Sequence, residues 1–355
     1  MDASSGSPPV IAGGLSAVDA VLERFFSVAG SRAREIGAAY EELWSALRSS
    51  AAGGKRLRPR LVLQAYTAFG GDDREAAAHV GAAFELLHTA LIVHDDVIDR
   101  DFTRRGAPNV SGRYRDDATT AGIPIPTAEH RGISTAIIAG DLALTGAYRV
   151  MDYDGISPAT KDRVVRLLDD AVFASAAGEL IDVDYSISRE MPTVEQVVEM
   201  ERLKTAVYTF ETPLQAGAVL AGADESHLPV LAAFGRDLGI AYQATDDLLG
   251  VFGDERETGK TTLGDLREGK RTVPIAFAAT TDAWPGIRQF LGKPDLSAGE
   301  ADRVREALIA CGAEVFTRGL ASRKAAEAVQ LLDRLPAPVA EELAPLARQA
   351  LDRIR

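Results

Sequence analysis

From about Leu15 onward, apolar residues recur at spacings of three and four, with Ala, Leu, Glu and Arg filling the positions between them. That period is the repeat of amphipathic helices, and the intervening residues are good helix formers. Alternating β-branched segments, the mark of half-buried strands, are scarce. The pattern predicts helices near residues 16–50 with Gly30 as a break, 57–70, 74–100, 133–151, 158–186, 193–222, 226–253, 273–281, 298–334 and 337–354. Residues 1–14 read as a flexible lead-in, and residues 104–132, rich in Gly, Pro, Asp and Thr, as a long surface loop. No Pro/Gly/Ser linker divides residues 133–355, so one all-α domain over 15–355 is expected.

Composition changes this picture little: 46% of the 355 residues are hydrophobic and 26% charged, enough apolar surface to offset the entropy of ordering the chain. Charge changes it more. The 39 basic and 52 acidic side chains leave a formal charge of −13, which argues against a nucleic-acid partner, since phosphate backbones are held by clustered Lys and Arg. A single cysteine, Cys311, cannot form an internal disulfide and reads as a buried structural thiol. The nearest approach to a membrane span, Gly132 to Met151, is interrupted by Asp141 and Arg149, and the first residues lack a basic start and apolar stretch. A cytoplasmic protein with no integral membrane association is expected.

Against this background the charged residues fall into groups. The apolar segment AAFELLHTALIVHDDVIDRD ends in Asp95, Asp96 and Asp99, and IAYQATDDLLG ends in Asp246 and Asp247. Carboxylates one turn apart repel, and at a helix carboxyl end they also oppose the macrodipole. One such pattern is what a solvated acidic face looks like; two point to divalent cations. Mg²⁺ suits oxygen ligands supplied by one or two carboxylates plus phosphates, whereas the five histidines show no zinc-like pairing with cysteine. Three short basic groups complement them: GGKRLRP with Lys55, Arg56 and Arg58, TRRG with Arg104 and Arg105, and EGKRT with Lys270 and Arg271. Arg104 and Arg105 follow Asp99 closely, where their guanidiniums could grip a diphosphate that also bridges metals.

The ordered motifs GGKRLRP, ELLHTALIVHDDVID, RRG, Gly140-Asp141, GELIDVD, KTA, YQATDDLLG and GKTTLGDLREGKRT resemble the trans-isoprenyl diphosphate synthases, or polyprenyl synthetase family. The resemblance spans roughly residues 50–275, with the helical remainder suiting that family's carboxyl-terminal region. It implies an all-α bundle of the isoprenoid synthase type around a deep central cavity, two acidic helix ends facing each other at its mouth, and three Mg²⁺ ions. Carried over by motif, Asp95 and Asp99 hold two ions with Asp96 in support, and Asp246, with Asp247 beside it, the third. Lys55, Arg58, His88 and Arg105 hold isopentenyl diphosphate, and Arg104, Lys204, Lys260 and Lys270 the allylic diphosphate. Thr205 and Gln243 sit beside the developing allylic cation. Glu179 and Asp182 line the cavity or bond to the basic side chains. A homodimer is also implied.

Short-chain members of that family block the growing product with aromatics four or five residues before the first aspartate; here those positions are Leu91 and Ala90. Neither is bulky, so a product longer than farnesyl is expected, with geranylgeranyl diphosphate first and a farnesyl or longer polyprenyl product as alternatives. The second cluster departs from the family pattern at Gly250, where many members carry a third aspartate. A class I terpene cyclase would need no isopentenyl site, and a non-catalytic partner subunit would lack a metal cluster or the lysines.

Overall fold

The computed structural model describes residues 9–253 and 264–354, so residues 1–8 of the expected lead-in and Lys260 lie outside it. The described residues are helical almost throughout; a two-stranded hairpin is the only sheet among them. Backbone contacts divide the chain into two compact units, one of residues 1–168 with 216–223, the other of residues 169–215 with 224–355.

The first unit is built on α4 (Arg74–Ile98), which packs against α1 (Pro9–Ile36), α3 (Leu57–Ala68) and α6 (Ile125–Val150). Asp73 starts α4 by accepting hydrogen bonds from the Glu75 and Ala76 amides, the usual use of an aspartate at a helix N-cap. The helix then carries Val80, Ala83, Phe84 and Leu87 into the core, each fully buried. By length and hydropathy α4, rather than the stretch from Gly132 to Met151, comes nearest to a membrane span, but 78% of its most apolar window is buried inside the protein. It is a core helix.

In this first unit three boundaries differ from the sequence expectation. Residues 9–14 are helical, because Ile11 is buried and anchors the first turn of α1. The chain breaks not at Gly30 but at Gly37, whose φ of 153° suits glycine alone, before α2 (Ala38–Ala51). Residues 104–132 are not a long loop. A hairpin, β1 (Thr103–Arg104) with β2 (Ala107–Pro108), leads into α5 (Val110–Thr120), and α6 begins directly after Pro124. Asn109 caps α5 by accepting from the Gly112 amide, and α5 packs on α6 where Gly132 approaches the Ser111 carbonyl too closely for any side chain.

The second unit holds most of α7 (Pro158–Ile187), α8 (Val194–Glu201), a wide π-helical segment (Arg202–Glu211) and α10 (Leu228–Phe252), which follows α9 (Thr212–Leu220). Gly235 on α10 lets the backbone of Glu211 approach to where a Cβ would stand 2.8 Å from its Cα, so the π segment and α10 pack backbone to backbone. The expected helix over 298–334 is two, Ala298–Ala310 and Ala313–Leu332, parted at Gly312 with its φ of 85°. Cys311, at that joint, is half-buried rather than buried as expected, because the break at Gly312 leaves it at a helix end. The last helix, Ala337–Ile354, packs on Ala313–Leu332 and on α10.

Candidate active site

In the first unit the acidic end of α4 meets the hairpin. Asp95 and Asp99 are half-buried there, while Asp96 is 4% exposed. Arg104 joins the cluster: its Nε donates to Asp96 Oδ1 at 2.7 Å and its Nη2 to Asp95 Oδ2 at 3.1 Å. Burial pushes the Asp96 carboxyl up to about 6, against the opposing pull of Arg104. The hairpin accounts for the RRG motif locally. Arg105 and Gly106 are its two central residues, both at positive φ (55° and 75°), the geometry that matches strand twist in a two-residue turn.

The turn aims Arg105 at the other basic motif. A Cβ on Gly54 would lie 3.5 Å from the Arg105 Nη2, ordinary van der Waals contact, so the two motifs meet here, and glycine is called for by the positive φ of 74° and 80° at Gly53 and Gly54. His88, half-buried on α4, is held neutral, well below the usual imidazole range, by burial and then by the charges of Arg58, Arg104, Arg105 and Arg56. Cations from two segments some fifty residues apart therefore crowd one side of α4 beside its acidic end. Lys55 is exposed and Arg58 half-buried at this corner. Arg56 is structural here, its Nη1 donating to buried Glu85 at 2.7 Å and its Nε to Asp19 at 3.0 Å, which ties the loop to α4 and α1. Among the described residues, those other than glycine in the left-handed region are Arg56, Arg100 and Arg105, all near this corner, each at a cost of about 1–2 kcal/mol. One turn before the aspartates, Ala90 is buried and Leu91 half-buried. Gly140 makes room for the His94 ring, and Asp141 Oδ1 lies 3.4 Å from its Nε2, which accounts for the Gly-Asp pair on α6.

In the second unit Lys204 and Thr205 lie in the π segment, a rare wide winding that turns up at functional sites. Gly178 on α7 allows the Lys204 backbone to approach directly. Lys204 Nζ sits 2.7 Å from Asp182 and 3.0 Å from Glu179, so these α7 carboxylates hold the lysine; of the two roles open to them, bonding to a basic side chain is the one observed. On α10, Asp246 is half-buried and accepts from Arg353 Nη2 at 2.6 Å, while the guanidinium lies 4.5 Å over the Tyr242 ring. Asp247, beside it, is 3% exposed and faces the interior, where Val273 N donates to its Oδ2 at 3.0 Å and Gln243 Nε2 to its Oδ1 at 3.3 Å. Adjacent helix positions lie about 100° apart, so both aspartates of a pair cannot face one ligand equally. The Gln243 amide is thereby directed at Asp247. Lys270 lies 2.9 Å from Glu268.

Asp247 also bonds Glu201, and burial pushes Asp247 up to about 7 and Glu201 well above its ordinary value. Acids with raised folded pKa values favour the folded state fully below their unfolded values, and that advantage is lost as pH rises through the folded ones. The melting temperature is therefore expected to fall as pH rises from about 4.5, where the unfolded carboxyls ionise, through about 7, where the folded Asp247 does. Glu201→Gln, whose amide donates without titrating, should flatten that fall in a thermal melt.

The donors fit a hard cation. Both acidic ends present oxygen ligands, and each already holds a guanidinium, Arg104 or Arg353. Among the described residues no three His, Cys, Asp or Glu side chains converge on one point. An ion there needs oxygens from a ligand or water, the manner in which Mg²⁺ is held by one or two carboxylates and substrate phosphates. Arg353 and Glu201 escaped the sequence reading, since a terminal arginine and a helix glutamate carry no pattern; Gly178 opens the GELIDVD motif, whose spacing does not tell which backbone it admits.

Comparison with known proteins agrees with this chemistry. The chain is 34% identical over 225 residues to a geranylgeranyl diphosphate synthase of Sulfolobus acidocaldarius, across 63% of this chain and 62% of that protein's length. It is 32% identical over 294 residues to a geranylfarnesyl diphosphate synthase of Aeropyrum pernix, across 82% and 86% of the two. The crystal structure of geranylgeranyl pyrophosphate synthase from Corynebacterium glutamicum, complexed with isoprenyl diphosphate and magnesium, matches with a TM-score of 0.89 at 31% identity, covering 98% of this chain and 100% of that one. The sequence profile described as polyprenyl synthetase matches residues 41–308, and the chain belongs to that family.

Proposed function

We propose that this chain is a magnesium-dependent trans-prenyltransferase that condenses isopentenyl diphosphate with allylic diphosphates, with geranylgeranyl diphosphate as its main product. The observation that carries the reading is the corner of the first unit where Arg58, Arg104 and Arg105 gather around a neutral His88 beside the acidic end of α4. Direct cations and metal-binding carboxylates side by side suit two diphosphate esters, one held by guanidiniums and one through metal. Relatives named for geranylgeranyl and geranylfarnesyl diphosphate support the substrate class.

In this reading Asp95 and Asp99, and Asp246 in the second unit, hold magnesium, three ions in all. Magnesium when bound supplies Lewis acidity toward the departing diphosphate. Lys55, Arg58, His88 and Arg105 bind the isopentenyl diphosphate; Arg104, Lys204, Lys260 and Lys270 neutralise the allylic one. Lys204 arrives already oriented by Asp182 and Glu179, so little reorganisation accompanies ionisation. Thr205 and Gln243 turn oxygen dipoles toward the allylic cation, the isopentenyl double bond attacks it, and a proton is lost to the released pyrophosphate. The working form is a cytoplasmic homodimer.

The test is incubation with Mg²⁺, labelled isopentenyl diphosphate and, separately, dimethylallyl, geranyl and farnesyl diphosphates, followed by chromatography of the dephosphorylated products. A C20 alcohol from each starter is expected. No condensation with any starter overturns the activity, and a C15 or C25 end point overturns the product assignment.

A further inference from the structure

Lys204 lies in the π segment Arg202–Glu211, and the residues at the two ends of that segment bond to each other. Arg202 Nη1 donates to Glu211 Oε1 at 3.1 Å, with the side chains 20% and 8% exposed. The pair depends on the winding. Nine residues of ordinary α-helix make about two and a half turns and set such side chains on opposite faces. Bonds of the i→i+5 type give about 4.4 residues per turn, so the same nine residues make about two turns and share a face. Thr212 closes the segment on this pattern, its hydroxyl and its amide both donating to the carbonyl of Val207, five residues back. Space for the wider backbone comes from α10, where Cβ atoms on Gly235 and Gly239, one turn apart, would collide with Glu211 and Ala206.

Winding decides where Lys204 points. The two helix types differ by about 18° per residue, so rewinding the stretch from Lys204 to Glu211 as α-helix turns the lysine by roughly 120°. It would then leave Asp182 and Glu179, which hold its Nζ at 2.7 and 3.0 Å. Burial pushes the Glu211 carboxyl up and the Arg202 guanidinium opposes it, with Arg236 of α10 as a further cation 4.0 Å from the same oxygen. Arg202 also holds Glu199 at 2.9 Å, a bond of ordinary helical spacing that does not cross the segment. We propose that Arg202 and Glu211 are positioning residues, whose ion pair spans the π segment and holds the winding that aims Lys204. This rests on the reading of Lys204 as a cation for the allylic diphosphate.

The test is steady-state condensation of geranyl and isopentenyl diphosphates by the full chain with Mg²⁺. Glu211→Gln, nearly isosteric, should lower kcat about tenfold, while KM for isopentenyl diphosphate, whose proposed residues are in the first unit, stays within about twofold. Glu199→Gln, which removes only the partner that does not cross the segment, should leave kcat within about twofold. In a Lys204→Ala chain, Glu211→Gln should cost less than about twofold more, because the pair acts through the lysine. Amide hydrogen exchange across residues 202–212 follows the winding without turnover and should quicken about tenfold in Glu211→Gln. Arg202→Gln, cut from the more exposed end, should repeat both changes and takes the place of Glu211→Gln if that variant does not fold. Unchanged kcat or exchange, a loss as large in Glu199→Gln, or equal losses with and without Lys204 overturns the assignment. Undiminished kcat in Lys204→Ala overturns instead the reading on which it rests.

Discussion

Replacing Asp95 by alanine lowers turnover by roughly three orders of magnitude, equivalent to about 4 kcal/mol of transition-state stabilisation. The size follows from what the carboxylate does. Ionising an allylic diphosphate places charge on a leaving group that protein dipoles alone offset poorly, and a metal held at Asp95, as proposed, would supply positive charge to that group. The fold should survive. Asp95 has a side chain 26% exposed, and Arg104 keeps its partner in Asp96 at 2.6 Å when Asp95 is gone. The measurement is single-turnover condensation at saturating substrate with a melting curve on the same sample. Near-normal turnover in a folded variant removes Asp95 from the metal site.

Ala90→Phe is expected to shift the product from C20 toward C15 while leaving the rate of each condensation within about tenfold. Ala90 is 1% exposed on α4, one turn before the aspartates and on the route back toward Leu87 and Phe84, which are fully buried. A ring placed there either blocks the growing chain or overpacks the core, and overpacking costs about 1–3 kcal/mol. Product analysis distinguishes the two outcomes, since a strained core changes stability but not chain length. Leu91→Phe, from a half-buried position, carries less packing strain and should shorten the product in the same sense. An unchanged product spectrum in both variants shows that these positions do not set its length.

Much of this was readable from the chain. A repeat of three and four is a property of local geometry, so α3, α4, α7, α10 and the last helix could be placed within a few residues, as could the acidic ends of α4 and α10. Boundaries went astray where a distant partner decides them. Residues 104–132 look like loop by composition, yet α5 exists because Asn109 caps it and α6 covers it. Gly30 and Gly37 are equivalent as letters, and only the backbone path makes the second the break.

The acidic clusters divide the same way. Their residue types and spacing identify oxygen-rich metal chemistry and a diphosphate partner, because charge and reach belong to the side chains themselves. Which aspartate of a pair faces a ligand is decided by packing. Asp246 meets Arg353, from the last turn of the last helix, whereas Asp247 turns inward to Val273 and Glu201. Nor could spacing tell that Lys204 is aimed by two carboxylates of α7. Those relations join residues from separate helices, and a sequence holds no distances between segments until burial of their apolar faces brings them together.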